Sequence, residues 1–385
     1  MSEEYDVIVF GAGVAGLWIG NRLTQAGYNV IVIEKETLGG SQTMASQGMI
    51  HGGQKYLLQG IVTEHAAAAA RMPPRWQASI EGRGEVDLTS VEVLSETQVM
   101  WPAGSLLTRG AVRAAAARVN AECRRIEKNN YPEPLRLHKL QGAVYGLPEK
   151  VLDVRSLVLA LARDLDGRIL RGEITDLNRA GAVTISGRSL RARLIVFAAG
   201  AGNEQALRML GIGQRLTQRR PLRQVMVRPL PYALFGHGIA TGAQPRVTVT
   251  SHAIGAGKYV WYLGGGVAEK GAKMETAAAL RFAASELERI FPAISWDEKE
   301  WATWYGERAE PLDEKGRLPV APVVHQWGCV LFAWPTKLTF VPALSDAVLG
   351  RFKDIPPAAK SPPPPLPVAE VGAYPWEVAS WQTVA

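Results

Sequence analysis

The residues near the N-terminus with a recognisable chemical purpose are a set of glycines and one acid. The run Gly11–Gly16 follows an apolar strand and precedes an apolar helix. In that setting a Gly-x-Gly-x-x-Gly spacing provides a tight turn, close approach of a pyrophosphate and helix–strand packing. A second predicted strand, 29–33, ends at Glu34, whose carboxylate can accept hydrogen bonds from ribose hydroxyls. This pattern predicts a dinucleotide site, and the acid disfavours a 2′-phosphate and hence NADP.

The segment that follows the acid distinguishes between the remaining dinucleotides. Residues 38–53 form a long run of small, polar and glycine residues, rich in Ser and Thr. An NAD domain would normally proceed directly to its next helix and strand. A backbone this open can instead wrap an extended cofactor, with N–H groups and hydroxyls on pyrophosphate and ribityl oxygens. We therefore predict FAD.

Several motifs in this chain occur in the same order in a known family. They are Gly39–Leu57, Tyr145–Glu149 with Leu152–Val154, Arg171–Ile174, Leu194–Gly202 and Pro335–Phe340. The sequence resembles the FAD-dependent oxidoreductases of the D-amino-acid oxidase (DAO) superfamily. It is most similar to the branch that contains flavin-linked glycerol-3-phosphate dehydrogenase and L-2-hydroxyglutarate oxidase.

The glycine run and the resemblance together predict which residues contact the cofactor. They are Gly11, Gly13, Ala15, Gly16, Glu34, Lys35, Ser41, Thr43, Ser46, Gly48, Ile174, Ala199, Gly200, Thr336, Lys337, Leu338 and Thr339. A flavin supplies its own redox chemistry, so the protein has to position the substrate and adjust the charge around the ring. Three candidate catalytic residues for that task are Lys337, Arg308 and His51.

Lys337 follows Pro335-Thr336 and precedes a predicted helical stretch, 344–351. Its ammonium and the helix N-terminus are expected to face one pole of the flavin, where positive potential stabilises the anionic reduced form. The resembled branch carries Gly-Gly-Lys-Leu-Thr-Thr here, so Pro335 and Thr336 stand where it has glycines. The alternative is an ordinary solvated lysine at a helix start.

Arg308 lies in the segment Trp304–Asp313, which resembles the superfamily's Arg-Pro-x-x-x-Asp-Gly-x-Pro element. The resemblance implies that this arginine clamps a substrate carboxylate or phosphate. A guanidinium suits that role because it offers paired donors and keeps its charge. The alternative is a structural salt bridge to Glu307 or Glu310.

His51 follows an apolar pair and precedes two glycines, so its side chain can approach the isoalloxazine. It is a candidate base for a hydroxyl proton, a hydrogen-bond partner of the flavin, or a covalent link to it. A structural histidine satisfied by neighbouring backbone is the alternative. His252 is a weaker candidate base and could equally be a surface histidine at a strand end.

The predicted fold class is α/β. A Rossmann-like FAD-binding domain, a parallel sheet with helices on both faces, is interleaved with an α+β substrate domain built on an antiparallel sheet. Its strands include 224–228, 246–251 and 259–263, followed by a helix over 275–290. The predicted FAD-binding segments are 1–55, 142–210 and 305–355, and the predicted substrate-domain segments are 56–141 and 211–304.

The C-terminal part of the chain has a different composition. The segment 356–367 is proline-rich and is predicted to be a stiff, extended linker. The tail 368–385 carries Trp376 and Trp381, which suggests docking either onto the body or onto a partner. Elsewhere, Tyr232, Trp261 and Tyr262 are expected to be core residues or, alternatively, pocket walls; the sequence leaves both choices open.

Charge and cysteine content exclude several classes of protein. The net charge is +7, but lysines and arginines are scattered, so an anionic substrate is favoured and no nucleic-acid partner is predicted. The two cysteines lie far apart, which argues against a disulfide scaffold or a metal site. No signal peptide or apolar run of membrane-spanning length is apparent, and a cytoplasmic location is expected.

The combined prediction is an FAD-dependent dehydrogenase or oxidase that acts on CH–OH or CH–NH donors. Its substrate would be a small anion such as a 2-hydroxy acid, an amino acid or a glycerol phosphate, and its electron acceptor oxygen, a quinone or a protein. A flavin monooxygenase that uses NAD(P)H and oxygen is an alternative, although its usual Gly-Asp pair is absent from 326–334. A non-catalytic FAD-binding partner module is a second alternative.

Overall fold

The computed structural model describes residues 3–52, 68–104, 123–137, 140–240, 244–313, 315–316, 319 and 321–384. The strands within these ranges are, in chain order, β1 (Glu3–Phe10), β2 (Val30–Glu34), β3 (Val93–Ser95), β4 (Gln98–Pro102), β5 (Arg124–Arg125), β6 (Tyr145–Leu147), β7 (Val151–Leu152), β8 (Ile169–Arg171), β9 (Ile174–Leu177), β10 (Ala182–Ile185), β11 (Arg188–Phe197), β12 (Thr217–Leu230), β13 (Gly236–Ile239), β14 (Pro245–Ala253), β15 (Tyr259–Gly264), β16 (Glu300–Pro311), β17 (Val323–Trp327), β18 (Val330–Trp334) and β19 (Gln382–Thr383).

The α-helices are α1 (Val14–Gln25), α2 (Met72–Ile80), α3 (Glu133–Leu137), α4 (Val154–Arg163), α5 (Asn203–Met209), α6 (Gly266–Gly271), α7 (Thr276–Ile290), α8 (Val341–Leu349) and α9 (Pro375–Val378). Single turns of 3-10 helix cover Lys128–Asn130, Gly200–Gly202, Leu338–Phe340 and Gly350–Phe352. None of the helices in the described ranges is long and apolar enough to cross a membrane.

The first sheet contains the parallel strands that the N-terminal motif predicts, with β17 and the β9–β10 hairpin added in antiparallel pairing. Its order is β17-β18-β11-β1-β2-β8, and the hairpin β9–β10 joins it beside β11. Strand β1 pairs in parallel with β2 on one side and with β11 on the other, so Val7 lies opposite both Val30 and Leu194. The predicted strand–turn–helix–strand order around the glycines is confirmed.

The two faces of this sheet are covered differently. Val7 and Val9 of β1 face a core completed by α1, α4 and α8. Ile8 and Phe10 face the opposite core, which is closed by the β9–β10 hairpin and the short helix α5. The Rossmann-like class is therefore confirmed, with a β-hairpin providing much of the cover on the second face.

The second sheet has the order β19-β16-β12-β15-β14-β13-β4-β6-β5 and is antiparallel except for the β13–β4 pair. One of its faces packs on α7, and the shared core contains Val225, Val249, Trp261 and Leu287. The three predicted strands and the predicted helix of this region are confirmed, with β12 and β14 extending beyond the predicted ends. Trp261 is a core residue.

The predicted domain boundaries stay predictions. Strand β6 falls within the predicted FAD-binding segment 142–210, yet it pairs with β4 and β5 of the second sheet. The part of β16 beyond residue 305 also belongs to that sheet. Parts of the predicted segment 56–141, namely 56–67, 105–122 and 138–139, lie outside the described residues.

The proline-rich segment 356–367 is extended and lies along the first sheet. Its backbone is held by side chains of the body: Tyr5 donates to Pro362 O at 2.7 Å, and Asn29 donates to Ser361 O at 2.9 Å. Farther along the chain, Val371 forms an isolated parallel β-bridge with Leu38. The segment 356–367, called the strap below, is therefore fixed to the first sheet.

The tail beyond residue 368 docks on the body of the same chain. Tyr374 donates to Asp153 Oδ2 at 2.5 Å, next to the start of α4. Trp376 stacks on His252, and β19 extends the second sheet by pairing with β16. The sequence left open whether the tail docks onto the body or onto a partner, and in the structure it docks onto the body.

Asp6 is the anchor of the strap, and its removal tests the attachment. The carboxylate is 1 % exposed and accepts from the backbone N–H groups of Asn29, Ala358 and Ala359 at 2.9, 3.1 and 3.1 Å, with Arg193 nearby. Burial alone would raise the pKa of Asp6, but these hydrogen bonds outweigh it and hold the pKa below its usual value. Asp6→Ala is expected to lower the free energy of unfolding by about 3 kcal/mol, because three part-buried backbone donors lose their charged acceptor.

Urea unfolding measures this loss. Asp176→Ala, an exposed aspartate in β9, is the matched control and should change stability by less than about 0.5 kcal/mol. Equal effects of the two substitutions would show that the strap contributes nothing through Asp6.

Candidate functional site

A cavity of about 670 Å³ lies between the two sheets. Its wall contains residues from the first sheet and its loops, such as Ile33 and Phe197, and from the second sheet, such as Gln224 and Arg308. Apart from Gly16, every residue predicted to contact the cofactor lines it, as do the three candidate catalytic residues. The sequence-predicted residues are thus brought together, and their individual roles stay predictions.

The glycine turn is too tightly packed for side chains. Gly11 has φ of +98°, and a Cβ there would lie 2.6 Å from the Ala199 Cα. A Cβ on Gly16 would lie 1.8 Å from the Gly11 carbonyl oxygen, which explains its place behind the turn. Gly13 opens α1 without a side-chain cap, so the positive end of the helix faces the cavity wall.

Glu34 lies at the end of β2, where the glycine turn passes. Its carboxylate accepts from Ala12 N at 2.8 Å and from Glu36 N at 3.2 Å. The acid therefore also stabilises the turn, a role that the sequence does not indicate. Lys35, the next residue, pairs with Glu173 at 2.9 Å on the exposed rim.

The Ser- and Thr-rich loop is fixed to the start of α1 and to the second sheet. Thr43 Oγ1 accepts from Val14 N at 3.3 Å, and Tyr262 donates to Ala45 O at 3.0 Å. Ser46 Oγ, on the cavity wall, is buried without a hydrogen-bond partner among the described residues. A buried orphan hydroxyl beside a helix N-terminus fits a polar ligand such as a pyrophosphate-linked cofactor.

The segment 335–339 forms the opposite part of the wall. Thr336 has φ of +62°, a left-handed conformation that is costly for a β-branched residue. Lys337 follows it as the half-buried cap of the 3-10 turn Leu338–Phe340, which leads into α8. Lys337 is therefore a cavity residue rather than a fully solvated helix-start lysine.

His51 and Thr339 meet at the cavity wall. Thr339 Oγ1 donates to His51 O at 3.0 Å. His51 Nδ1 lies 3.4 Å from Glu149 Oε2, and the imidazole ring lies 5.6 Å from that of His237. Its ring is thus paired with a carboxylate rather than with neighbouring backbone.

Arg308 and Arg220 face each other across β12 and β16. Arg220 is held by Glu310 at 2.7 and 3.1 Å. Arg308 Nη2 lies 3.5 Å from Glu269 and its Nε 3.9 Å from Glu310, and among the described residues neither buried nitrogen has a hydrogen-bond partner. Burial and the charge of Arg220 lower the pKa of Arg308, against the opposing effect of the two carboxylates.

The predicted salt bridge of Arg308 is only partly present. Glu307 pairs with Arg219 instead, at 3.5 Å, while Glu310 contributes at long range. The cavity residues that the sequence did not indicate include Arg220, Gln224 and Trp304. The sequence shows which side chains of a strand share a face. It does not show which of the two faces meets the cavity, because that depends on how the strands pair.

Three other candidates lie away from the cavity. His252 is buried against Trp376, with ring centroids 4.1 Å apart, and it is neither a surface residue nor a wall residue. Tyr262 is fully buried and holds the Ser-rich loop and Gln224, and Tyr232 packs on the second core. Both alternatives for His252 are wrong because the tail covers the end of β14.

His252 should make stability depend on pH. Burial lowers the pKa of His252 from 6.5 to about 4, although Asp153 acts in the opposite direction. As the pH falls, His252 is therefore protonated in the unfolded chain before it is protonated in the folded chain. The stability that neutral, buried His252 contributes is complete above about pH 6.5 and is lost as the pH falls toward 4. We expect a loss of about 2 kcal/mol between pH 7 and pH 5, measured as the free energy of urea unfolding.

His252→Phe keeps an aromatic ring against Trp376 but cannot titrate. Its stability should fall less over the same pH interval, by about the amount that His252 contributes. Parallel curves for the variant and the wild type would rule out His252 as the source.

Thr336 should be a strained position. Thr336→Gly is expected to raise the free energy of unfolding by about 1 kcal/mol, because relief of the left-handed strain exceeds the entropy gained by the unfolded chain. Thr336→Val keeps the strain and loses the hydroxyl bond to Pro335 O, so it should destabilise the protein. Thermal unfolding of the pair gives the sign, and a glycine variant less stable than wild type would contradict the strain.

The chain matches known proteins along nearly all of its length. The family model for FAD dependent oxidoreductases (DAO) matches residues 6–342. The chain is 38 % identical over 382 residues to the probable FAD-dependent oxidoreductase PA4991 of Pseudomonas aeruginosa, covering 97 % of this chain and 98 % of that protein. The crystal structure of PA4991 gives a TM-score of 0.85 at 36 % identity, covering 98 % and 99 % of the two chains.

More distant structures share the fold. Glycine oxidase from Geobacillus kaustophilus has a TM-score of 0.65 at 19 % identity, with 90 % of this chain and 94 % of that chain covered. L-α-glycerophosphate oxidase from Mycoplasma pneumoniae, dithionite-reduced and with FAD bound, has a TM-score of 0.66 at 15 % identity, covering 96 % and 100 %. The chain belongs to the DAO family of FAD-dependent oxidoreductases, and FAD is its cofactor.

Proposed function

We propose that this oxidoreductase takes a hydride from the CH–OH or CH–NH group of a small anionic substrate. The substrate class is a 2-hydroxy acid, an amino acid or a glycerol phosphate. The observation that carries the proposal is the guanidinium of Arg308, which lines the cavity and has two buried nitrogens with no hydrogen-bond partner in the described part of the chain. The names of two fold relatives, glycine oxidase and glycerophosphate oxidase, support the same class.

An anion would complete the hydrogen bonding of Arg308. Leaving a buried donor unpaired costs about 1–3 kcal/mol, and more for a charged group. The carboxylates of Glu269 and Glu310 are already shared with Arg220, whose Nη1 lies 3.6 Å from Glu269. A substrate carboxylate or phosphate on Arg308 therefore recovers free energy that the protein alone does not.

The other residues of the cavity wall have separate roles around Arg308. FAD, when bound, accepts the hydride and supplies the redox chemistry. His51 takes the proton from the substrate hydroxyl or amine, since its ring lines the same cavity. Lys337 adds positive charge to the wall formed by 335–339, and Trp304 closes the wall beside Arg308 by folding its indole over Gly306.

An anaerobic reduction screen tests the substrate class. Purified protein should be yellow and should bleach with at least one 2-hydroxy acid, amino acid or glycerol phosphate. Admission of air then separates oxygen from a quinone or a protein as the acceptor. Bleaching by NADH or NADPH alone would instead favour a monooxygenase.

Replacement of Arg308 tests the anchor directly. Arg308→Ala is expected to lower kcat/KM for the substrate found in the screen by about 10²–10³-fold, because an ion pair with bound substrate is lost. FAD content and the absorption spectrum should be unchanged.

Arg163→Ala is the matched control. It removes an exposed arginine paired with Asp87, far from the cavity lining, and should leave kcat/KM unchanged. An Arg308 variant with wild-type kcat/KM would show that the anion binds elsewhere.

A further inference from the structure

Glu149 is a buried acid directly behind the cavity wall. It lies between β6 and β7, is 2 % exposed, and is not itself among the residues that line the cavity. A carboxylate this deeply buried needs hydrogen-bond donors. Within the described ranges it has two hydrogen-bond partners, and both belong to the segment that carries His51.

The two carboxylate oxygens have separate partners. Glu149 Oε1 accepts from Gly52 N at 2.6 Å, a short bond to a backbone donor. Glu149 Oε2 lies 3.4 Å from His51 Nδ1. Because one oxygen is committed to an N–H that cannot change its role, the other is left to accept from the imidazole.

The remaining groups around His51 do not compete for that nitrogen. His237 lies beside the ring but has both of its own nitrogens engaged, Nδ1 with Thr248 at 2.9 Å and Nε2 with Gln98 at 3.0 Å. Thr339 contacts the His51 carbonyl rather than the ring. Lys337 lines the same cavity as His51. Cys123 lies near Glu149, and burial together with the Glu149 charge raises the pKa of its thiol to about 11.

We propose that Glu149 is a positioning residue that holds His51 in the Nδ1–H tautomer and so leaves Nε2 as the unprotonated nitrogen available to the cavity. A neutral imidazole has one donor and one acceptor nitrogen, and the partner of the first determines the role of the second. This inference deepens the proposed function, since it rests on His51 as the group that takes the substrate proton.

Glu149→Gln tests this because it keeps the shape and reverses the hydrogen bond. The new amide has to present its oxygen to Gly52 N–H, which places its NH₂ group against His51 Nδ1. Nδ1 must then accept, and the ring proton moves to Nε2. The same reversal explains why carboxylate-to-amide changes behind a catalytic histidine are severe, at about 10⁴-fold in kcat in the serine protease case.

The readout that does not depend on turnover is ¹⁵N NMR of the FAD-loaded protein labelled at histidine. Protonated and unprotonated ring nitrogens have well-separated ¹⁵N shifts, and the chain contains six histidines. Signals missing from His51→Gln protein identify those of His51. In wild-type protein with a neutral His51 ring, Nδ1 should carry the proton. In Glu149→Gln protein, Nε2 should carry it.

Turnover gives the second readout with the substrate found in the screen. Glu149→Gln should lower kcat by about 10²–10⁴-fold with little change in KM. Glu149→Asp retains a carboxylate and should recover kcat to within about tenfold of wild type. Should the glutamine variant fail to fold, the same NMR measurement on wild-type protein still decides, because a proton on Nε2 rather than on Nδ1 of His51 would overturn the proposal.

Failure of this inference and of the proposed function are distinguishable. An unchanged His51 tautomer in Glu149→Gln protein would overturn the role of Glu149, whatever the activity. A reversed His51 tautomer in Glu149→Gln protein, together with full turnover by both the Glu149→Gln and the His51→Gln proteins, would support the role of Glu149 and overturn His51 as the base.

Discussion

The close contact of three backbone segments at the glycine turn is the constraint on which the rest of the structure depends. The carbonyl of Gly11 occupies the space that a Cβ on Gly16 would need, and Gly11 itself lies against the Ala198–Ala199 backbone. The ends of β1 and β11 and the start of α1 thereby meet at one point. At this separation the N-terminal end of α1 reaches the cavity, and Glu34 fixes the turn by accepting from Ala12 N.

The second sheet adds a different constraint, which is electrostatic. Arg220 and Arg308 lie directly opposite on neighbouring strands, an arrangement that like charges disfavour. The buried carboxylate of Glu310 makes it tolerable by binding Arg220 closely and leaving Arg308 less well satisfied. In the proposed function it is the asymmetry within this group, rather than the number of positive charges, that would bind the substrate anion.

The limits of sequence-based prediction follow from the range of the interactions. The glycine turn, Glu34 and several strands of the two sheets could be predicted because local spacing and periodicity determine them. Arg220 could not, because its place depends on pairing with Arg308 across the chain. Glu149 looks like an ordinary loop acid until the fold brings it beside His51. The proline-rich segment has no hydrophobic pattern, and its course is set by hydrogen bonds to body side chains such as Asp6.

The docked tail changes how the C-terminal region should be understood. No described residue of the tail lines the cavity. Trp376 nevertheless packs on His252 and Tyr262, and Tyr262 in turn holds the backbone of Ala45 in the cavity wall. The tail thus supports the wall from behind. A truncated protein that has lost activity would therefore report a collapsed wall, and such a result is no evidence that the tail recruits another protein.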